Sequence, residues 1–503
     1  MSNNEGINME TKQVVIIGGG IAGLSAGVYA LRCGFQATIL ESHSLAGGNC
    51  TSWKRDGYLF EGGMHWLTGS SKAEALNKLW RTVGALDDSV AIHTPEPFFE
   101  YDHQGTPIRF YRDIELTEKH LLEVSPDDKK EIKAFCNNVR KVKNLVMPIT
   151  DIRGVKVTRK QRMPLSLLFA AISSAGLMRK FSKISRDEYI GRFKHPGLRE
   201  LLRASTDEVS AMIPLFFTLG ILARGDGGFP EGGSLPFARR ITQTFKSQGG
   251  ELLLKTRADQ VVVEDGRAVG VQAGENFYPA DAVIITSDTM VADQLFDKPL
   301  HSEWLERMRE TTVPTMATLI SLGINADMRK YFKGLTFKLP GQITMGDLSF
   351  EYLNLNNYAD DPTYSPEGKT AMTMILPGDS YDFWKSAREQ GNYAEQKQHI
   401  ADQVIAALAV QIPETAGKVE VCDVATPLTY ERYCGNWRGS WMTEMTPSMN
   451  MNNYPAAIDG LAGVYFAGQR MTPPGGLPVA LMSGRTAVQY LCRDTGTLFI
   501  SGE

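Results

Sequence analysis

At 503 residues the chain is long enough for two or three domains, and 43% hydrophobic against 22% charged residues exclude a disordered polymer. Lys and Arg (53) nearly balance Asp and Glu (57), so the basic excess that phosphate-backbone binding demands is missing and nucleic acid is not an expected partner. The six cysteines, at 33, 50, 136, 422, 434 and 492, contain no CxxC pair, which argues against a zinc site or disulfide scaffold and for a reducing compartment.

The N-terminus, MSNNEGINMETK, lacks the basic-then-apolar order of a signal peptide, so a cytoplasmic location is expected. Residues 13–41 then read as strand, glycine turn, helix and strand: QVVIIGGG, IAGLSAGVYALRCG and QATILE. Ile21, Leu24, Val28 and Leu31 recur every three to four positions, one helical face, and Gly34 stands where a helix ends. This is the βαβ unit that opens a doubly wound α/β sheet. Its Gly18-x-Gly20-x-x-Gly23 offers a tight turn, a close backbone approach for a pyrophosphate, and close helix–sheet packing, in that order. The helix start at Ile21 and Ala22 presents unpaired N–H groups and a positive dipole end to an anion. Glu41, 18 positions after Gly23 and followed by Ser42, is placed to take ribose hydroxyls. Gly23–Gly27 also matches the GxSxG elbow of serine hydrolases, but Ser25 falls inside the helix and is expected to be packed and inert.

Gly47-Gly48, Arg55-x-Gly57-Tyr58 and Phe60-Glu61-Gly62-Gly63 follow, and then Met64-His65-Trp66-Leu67. The mixed segment after them holds two apolar runs, Met163–Met178 and Met212–Ala223. From Lys129 to Arg192 there are sixteen Lys or Arg against four Asp or Glu, a local charge of about +12. An apolar helix with such a rim suits either a peripheral, membrane-facing position or a buried helix with a solvated basic edge. No run reaches the ~18–20 apolar residues of a membrane span.

Gly249–Thr286 is strand-rich, with a hairpin signal at Asp265-Gly266. Tyr430-Glu431-Arg432-Tyr433, Asn436-Trp437 and Gly439-Ser440-Trp441 suit a cavity wall near a cofactor or ordinary core equally well. The last strand, turn and helix are GVYFAGQ and GGLPVALMSGRTAVQYLC. The remaining histidines show no metal-ligand spacing. The expected architecture is α/β: a Rossmann-like nucleotide domain assembled from 1–85, 223–300 and 455–503, and a discontinuous α+β domain from 86–222 and 301–454.

The N-terminal unit, the GGFPEGGS stretch at 227–234, and Phe466-Ala467-Gly468 with Gly475–Ala480 together resemble the phytoene desaturase, carotenoid isomerase and retinol saturase family of the amine-oxidase-like FAD enzymes. The resemblance implies non-covalent FAD. Its ADP half would lie on Gly18, Gly20, Ile21, Ala22, Gly23, Glu41, Ser42, Gly48, Asn49 and Arg55, with Val261 beside the adenine. Gly63, Met64, Gly468, Gln469, Gly476, Pro478, Val479 and Ala480 would follow pyrophosphate, ribityl chain and flavin ring. The family often carries Arg after the glycine pair; here Asn49 stands there, leaving Lys54 or Arg55 to replace the phosphate contact. Gln469 replaces the usual acid. His65 and Trp66 would pass the flavin, which makes His65 a candidate proton donor or flavin-polarising group, or a structural histidine. The implied chemistry is desaturation, saturation or isomerisation of a carbon–carbon bond in a hydrophobic unsaturated lipid such as a carotenoid, retinoid or fatty acid. NAD(P)H, a quinone or oxygen would be the redox partner, and peripheral contact with the inner face of the membrane is compatible. A flavin amine oxidase and a non-catalytic FAD- or lipid-binding protein are the alternatives.

Overall fold

The computed structural model describes residues 12–161, 165, 174–177, 179–181, 183–206, 212–445 and 453–502. A five-stranded parallel sheet runs in the order Val464–Phe466, Ala282–Ile285, Gln13–Ile17, Gln36–Leu40, Glu251–Leu253. Its strands are almost unbroken Val, Ile and Leu because both faces are covered, as parallel sheets require. Helices Ile21–Arg32, Ser234–Ser247 and Leu477–Thr495 share one core with it, through Leu24, Val28, Phe237, Ile241, Leu481 and Val488. Ser25 is fully buried and donates its hydroxyl to Leu481 O at 2.8 Å, so the hydrolase-like motif serves helix packing.

Gln260–Glu264, Arg267–Ala273 and Asn276–Pro279 form a separate antiparallel sheet, turning at Asp265-Gly266. A seven-stranded sheet builds the other half, in the order Val419–Ala425, Ala317–Ile324, Thr370–Pro377, Leu348–Asn357, Gly334–Met345, Phe99–His103, Thr106–Phe110. All its pairings are antiparallel except Gly334–Met345 with Phe99–His103.

The two apolar runs part company. Most of Met163–Met178 lies outside the described residues. Met212–Ala223 forms the helix Ile213–Ala223, whose Phe216 packs against Phe135, Phe181 and Tyr189 at ring distances of 5.6, 5.0 and 5.8 Å. Pro214, Phe217, Thr218 and Ile221, on its other face, line an internal cavity. The helix is apolar all round because one face is core and the other is a cavity wall. In the helix Lys129–Val142, Ile132, Phe135, Val139 and Val142 are buried, and Arg140 pairs with Glu115 and Glu118. No helix among the described residues is long and apolar enough to cross a membrane.

Candidate active site

One cavity of about 1280 Å³ lies between the two sheets and is walled by both. At one end it meets Gly18, Gly20, Ile21, Ala22, Glu41, Ser42, Gly48 and Asn49. Glu41 follows the strand Gln36–Leu40 with both carboxylate oxygens committed to the loop: one accepts the Gly19 N–H at 2.6 Å, the other the His43 N–H at 2.7 Å. Gly20 has φ −71°, and a Cβ built there would touch Gly48 Cα at 3.8 Å and Gly47 O at 4.0 Å, ordinary contacts with the glycine-pair loop.

Gly468 follows the strand Val464–Phe466, and Gly476 precedes the helix Leu477–Thr495; with Gln469, Pro478 and Ala480 they line the same cavity. Neither this helix nor Ile21–Arg32 has an acidic residue in its first turn or a side-chain cap among the described residues. Two helix N-termini therefore aim dipoles and unclaimed N–H groups into one space. That donor set, with the bare backbone of Gly18, Gly20 and Gly48 on the cavity wall, fits a ligand carrying a pyrophosphate and an electron-rich ring, as FAD does.

Four predicted residues stand off the wall. Gly23 lies beneath it, where a Cβ would meet Gly18 O at 1.9 Å. Arg55 points away and pairs with Asp423 at 2.8 Å. Val261 is core, packed with Val271 and Val283, while Arg257, Ala258 and Asp259 line the cavity instead. Val479 is buried, between Pro478 and Ala480, which reach the cavity. A motif marks the right stretch of chain; the side each residue faces follows from strand and helix periodicity.

Gly63, Met64, His65 and Trp66 line the cavity, and Glu61 holds them. Its buried carboxylate accepts the N–H groups of Gly63 (2.8 Å), Met64 (3.0 Å) and Ser234 (3.0 Å) and the hydroxyls of Ser234 (2.5 Å) and Tyr364 (3.0 Å). Tyr430 O–H donates to Gly62 O at 2.7 Å. His65 Nδ1 is buried without a hydrogen-bond partner among the described residues. Burial pushes the imidazole below its usual range; Lys333 adds to this and Glu61 opposes it, so His65 is neutral at pH 7. Trp66 meets Phe98 edge-on at 5.8 Å. Phe98, Phe99, Phe110, Leu145, Met147 and Phe217 make the rest of this end strongly apolar.

Behind Met64 is a smaller pocket of about 180 Å³, where burial lowers the Lys333 amine to about 8 and its Nζ sits 4.3 Å from the rings of both Phe229 and Tyr358. His93, Glu231 and Asp361 gather beside it with their ligand atoms within 4.8 Å, a grouping sequence spacing does not show.

The run Tyr430–Met442 is a strap over the nucleotide end. Asn436 Nδ2 donates to Asn49 Oδ1 at 2.5 Å, and the Trp437 N–H to Asp288 at 3.0 Å. Asp288 forms a two-toothed ion pair with Arg470 at 2.8 and 2.9 Å, both side chains 2% exposed, and Arg470 also donates to Ser440 Oγ at 2.6 Å. Sequence reading missed this pair: its members are 182 positions apart and no local pattern links them.

Comparison with known proteins agrees with this geometry. Residues 21–492 match the family of flavin containing amine oxidoreductases. Prolycopene isomerase 2 of an Oncidium hybrid cultivar is 23% identical over 97% of this chain and 85% of its own length. The 4,4'-diapophytoene desaturase (4,4'-diapolycopene-forming) of a Methylomonas species is 22% identical over 96% and 95%. Solved structures of a redesigned putrescine oxidase and of cyclohexylamine oxidase from Brevibacterium oxydans share the fold, with TM-scores of 0.63 and 0.61 at 14% identity, covering 96% and 97% of this chain and 99% and 100% of theirs. The chain belongs to the flavin containing amine oxidoreductase family and is an FAD-dependent enzyme of the phytoene desaturase and carotenoid isomerase type.

Proposed function

We propose that the protein desaturates or isomerises a carbon–carbon double-bond system in an extended apolar polyene of the carotenoid or retinoid class. One observation carries the reading: a single cavity is continuous from two open helix N-termini to a wall of Phe98, Phe110, Met147 and Phe217. The relatives named for prolycopene and diapophytoene support it. The amine-oxidase alternative rests on the family description and on fold likeness at 14% identity.

In this reading 1–85, 223–300 and 455–503 bind FAD, and 86–222 with 301–454 hold the substrate. Gly18, Gly20, Ile21, Ala22, Glu41, Ser42 and Gly48 would hold the ADP half, and Gly63, Met64, Gly468, Gln469, Gly476, Pro478 and Ala480 the flavin half. Bound there, the flavin supplies hydride transfer to or from the polyene. The chain's own residues orient and desolvate. The Leu477–Thr495 N-terminus stabilises negative charge, the aromatic wall excludes water, and His65 holds or moves a proton at its imidazole. Desaturation sends electrons on to a quinone, oxygen or NAD(P); isomerisation needs no net acceptor. The basic surface around Lys129–Arg192 would rest on the inner face of an anionic membrane, where such substrates dissolve.

The test is mass analysis of the lipid that copurifies, followed by anaerobic mixing of that polyene with the holoenzyme. Flavin bleaching or a shifted cis–trans ratio supports the reading. A flavin indifferent to polyenes and reduced by a primary amine overturns it. Salt-reversible binding to anionic but not neutral vesicles checks the membrane contact.

A further inference from the structure

Resting on the FAD reading above, a question of charge remains at the nucleotide end. A pyrophosphate is dianionic, and a helix N-terminus answers with roughly half an elementary charge. Asn49 adds none, and neither Lys54 nor Arg55 lines the cavity. Four arginines do: Arg224, Arg257, Arg432 and Arg470. Arg224 is spent on Glu74 at 2.7 Å, and Arg470 on Asp288. Arg257 and Arg432 are exposed and have no ion pair among the described residues.

Both neighbour His43, but only the Arg432 segment runs on to bond the glycine-pair loop, through Asn436 and Asn49. Thr256, next to Arg257, donates its N–H to Glu41 O at 2.9 Å, and Lys255 donates to His43 O at 3.0 Å, which puts Arg257 on the ribose side. Arg432 sits in the last turn of the helix Pro427–Cys434, whose course is fixed at three points along the groove. Tyr430 bonds Gly62 O, Tyr433 meets His43 edge-on at 5.4 Å, and Asn436 bonds Asn49. Gly47 is bridged to Gly20, so the Gly47–Asn49 loop that Asn436 bonds lies against the Gly20 turn, one helical turn along the chain from Arg432. The Arg432 guanidinium lies 5.2 Å from the Tyr433 ring centre, a contact that limits its freedom before any anion arrives.

We propose that Arg432, supplied by the substrate half, is the pyrophosphate cation of this enzyme, doing from across the groove what Asn49 cannot do from the glycine-pair loop. Bound FAD then ties the strap to the nucleotide half through its phosphates as well as through Asn436.

The experiment measures FAD release from wild-type, Arg432→Ala, Arg432→Lys and Arg257→Ala holoenzymes over a range of ionic strength, by recovery of flavin fluorescence. Loss of a charge-assisted contact should raise the FAD Kd of Arg432→Ala by about tenfold to a hundredfold and flatten its salt dependence. Arg432→Lys should recover part of both, and Arg257→Ala should leave the salt dependence close to wild type. An Arg432→Ala enzyme with unchanged Kd and salt slope overturns the proposal, as does a loss confined to Arg257→Ala. Melting of the FAD-stripped proteins is the control: a variant weakened there as much as in FAD binding acts through the fold, which also overturns it. A wild-type protein without FAD would instead defeat the cofactor reading itself.

Discussion

Two glycines three positions apart separate cofactor binding from folding. Gly20→Val places a Cβ in ordinary contact with Gly48 Cα at 3.8 Å, in a backbone conformation (φ −71°, ψ 179°) that valine adopts. Folding should change by no more than ~1 kcal/mol. The γ-carbons crowd the cavity wall beside Gly47 and Gly48, where the pyrophosphate would lose two or more charge-assisted hydrogen bonds, together ~3–6 kcal/mol or ~10²–10⁴-fold in affinity. Gly23→Ala does the opposite. Its Cβ would lie 1.9 Å from Gly18 O, so to reach ordinary contact at 3.4 Å the carbonyl must retreat by about 1.5 Å. That carbonyl belongs to a turn held by Gly18 N–H to Leu40 O and by Thr286 Oγ1, which donates to Ile17 O and Gly18 O, all at 2.9 Å. Overpacking and the strained bonds together should cost ~3–5 kcal/mol, a drop of about 3–5 °C in Tm for a chain of 503 residues melting as one unit. Flavin absorbance per chain and melting of the FAD-stripped proteins read the two effects. A Gly20→Val protein that keeps its full FAD, or that melts as low as Gly23→Ala once stripped, refutes the reasoning.

Glu61→Ala leaves five donors without their acceptor and should lower stability by ~3–5 kcal/mol in urea unfolding, with Glu61→Gln milder because it keeps the shape and one acceptor oxygen. Asp288→Asn strands Arg470, 2% exposed, and should cost ~3–5 kcal/mol and loosen FAD, measured by thermal melting and flavin content. Burial keeps His65 unprotonated in the native state while the unfolded chain takes a proton at about pH 6.5. The native state's full stability is therefore present above pH 6.5 and is lost as pH falls toward the depressed native value; His65→Asn should remove that acid loss in denaturant titrations at pH 5 and 7. If His65 also moves a proton, the same variant turns over ~10²-fold more slowly per bound flavin.

The parts of this fold written in contiguous chain were legible. Residues 13–41 carry their strand, helix, glycines and acid within one βαβ unit, and the turn at Asp265-Gly266 is local chemistry. Facing was less so: Val261 and Val479 belong to the expected stretches, but their side chains turn into the core. For Met212–Ala223 the sequence left a membrane face and a buried helix equally open, because hydropathy does not distinguish lipid from a protein cavity as the apolar neighbour. The aromatic run divides: Tyr430 is core, Tyr433 and Trp441 line the cavity, and Asn436 bonds a residue 387 positions away. Such pairings arise only when distant segments meet, and no periodicity records them.

The strand order carries a consequence for biosynthesis. The strand Gln13–Ile17 can pair soon after synthesis with Gln36–Leu40, but its other neighbour begins at Ala282 and one edge strand of the sheet at Val464. The second open helix N-terminus comes later still, at Leu477. A nascent chain therefore displays its glycine-rich turn long before the opposite wall of the groove exists, and the apolar cavity surfaces wait exposed for the same interval. Cofactor capture becomes one of the final events of folding, so cells short of flavin should accumulate chaperone-bound or aggregated polypeptide rather than a soluble empty enzyme.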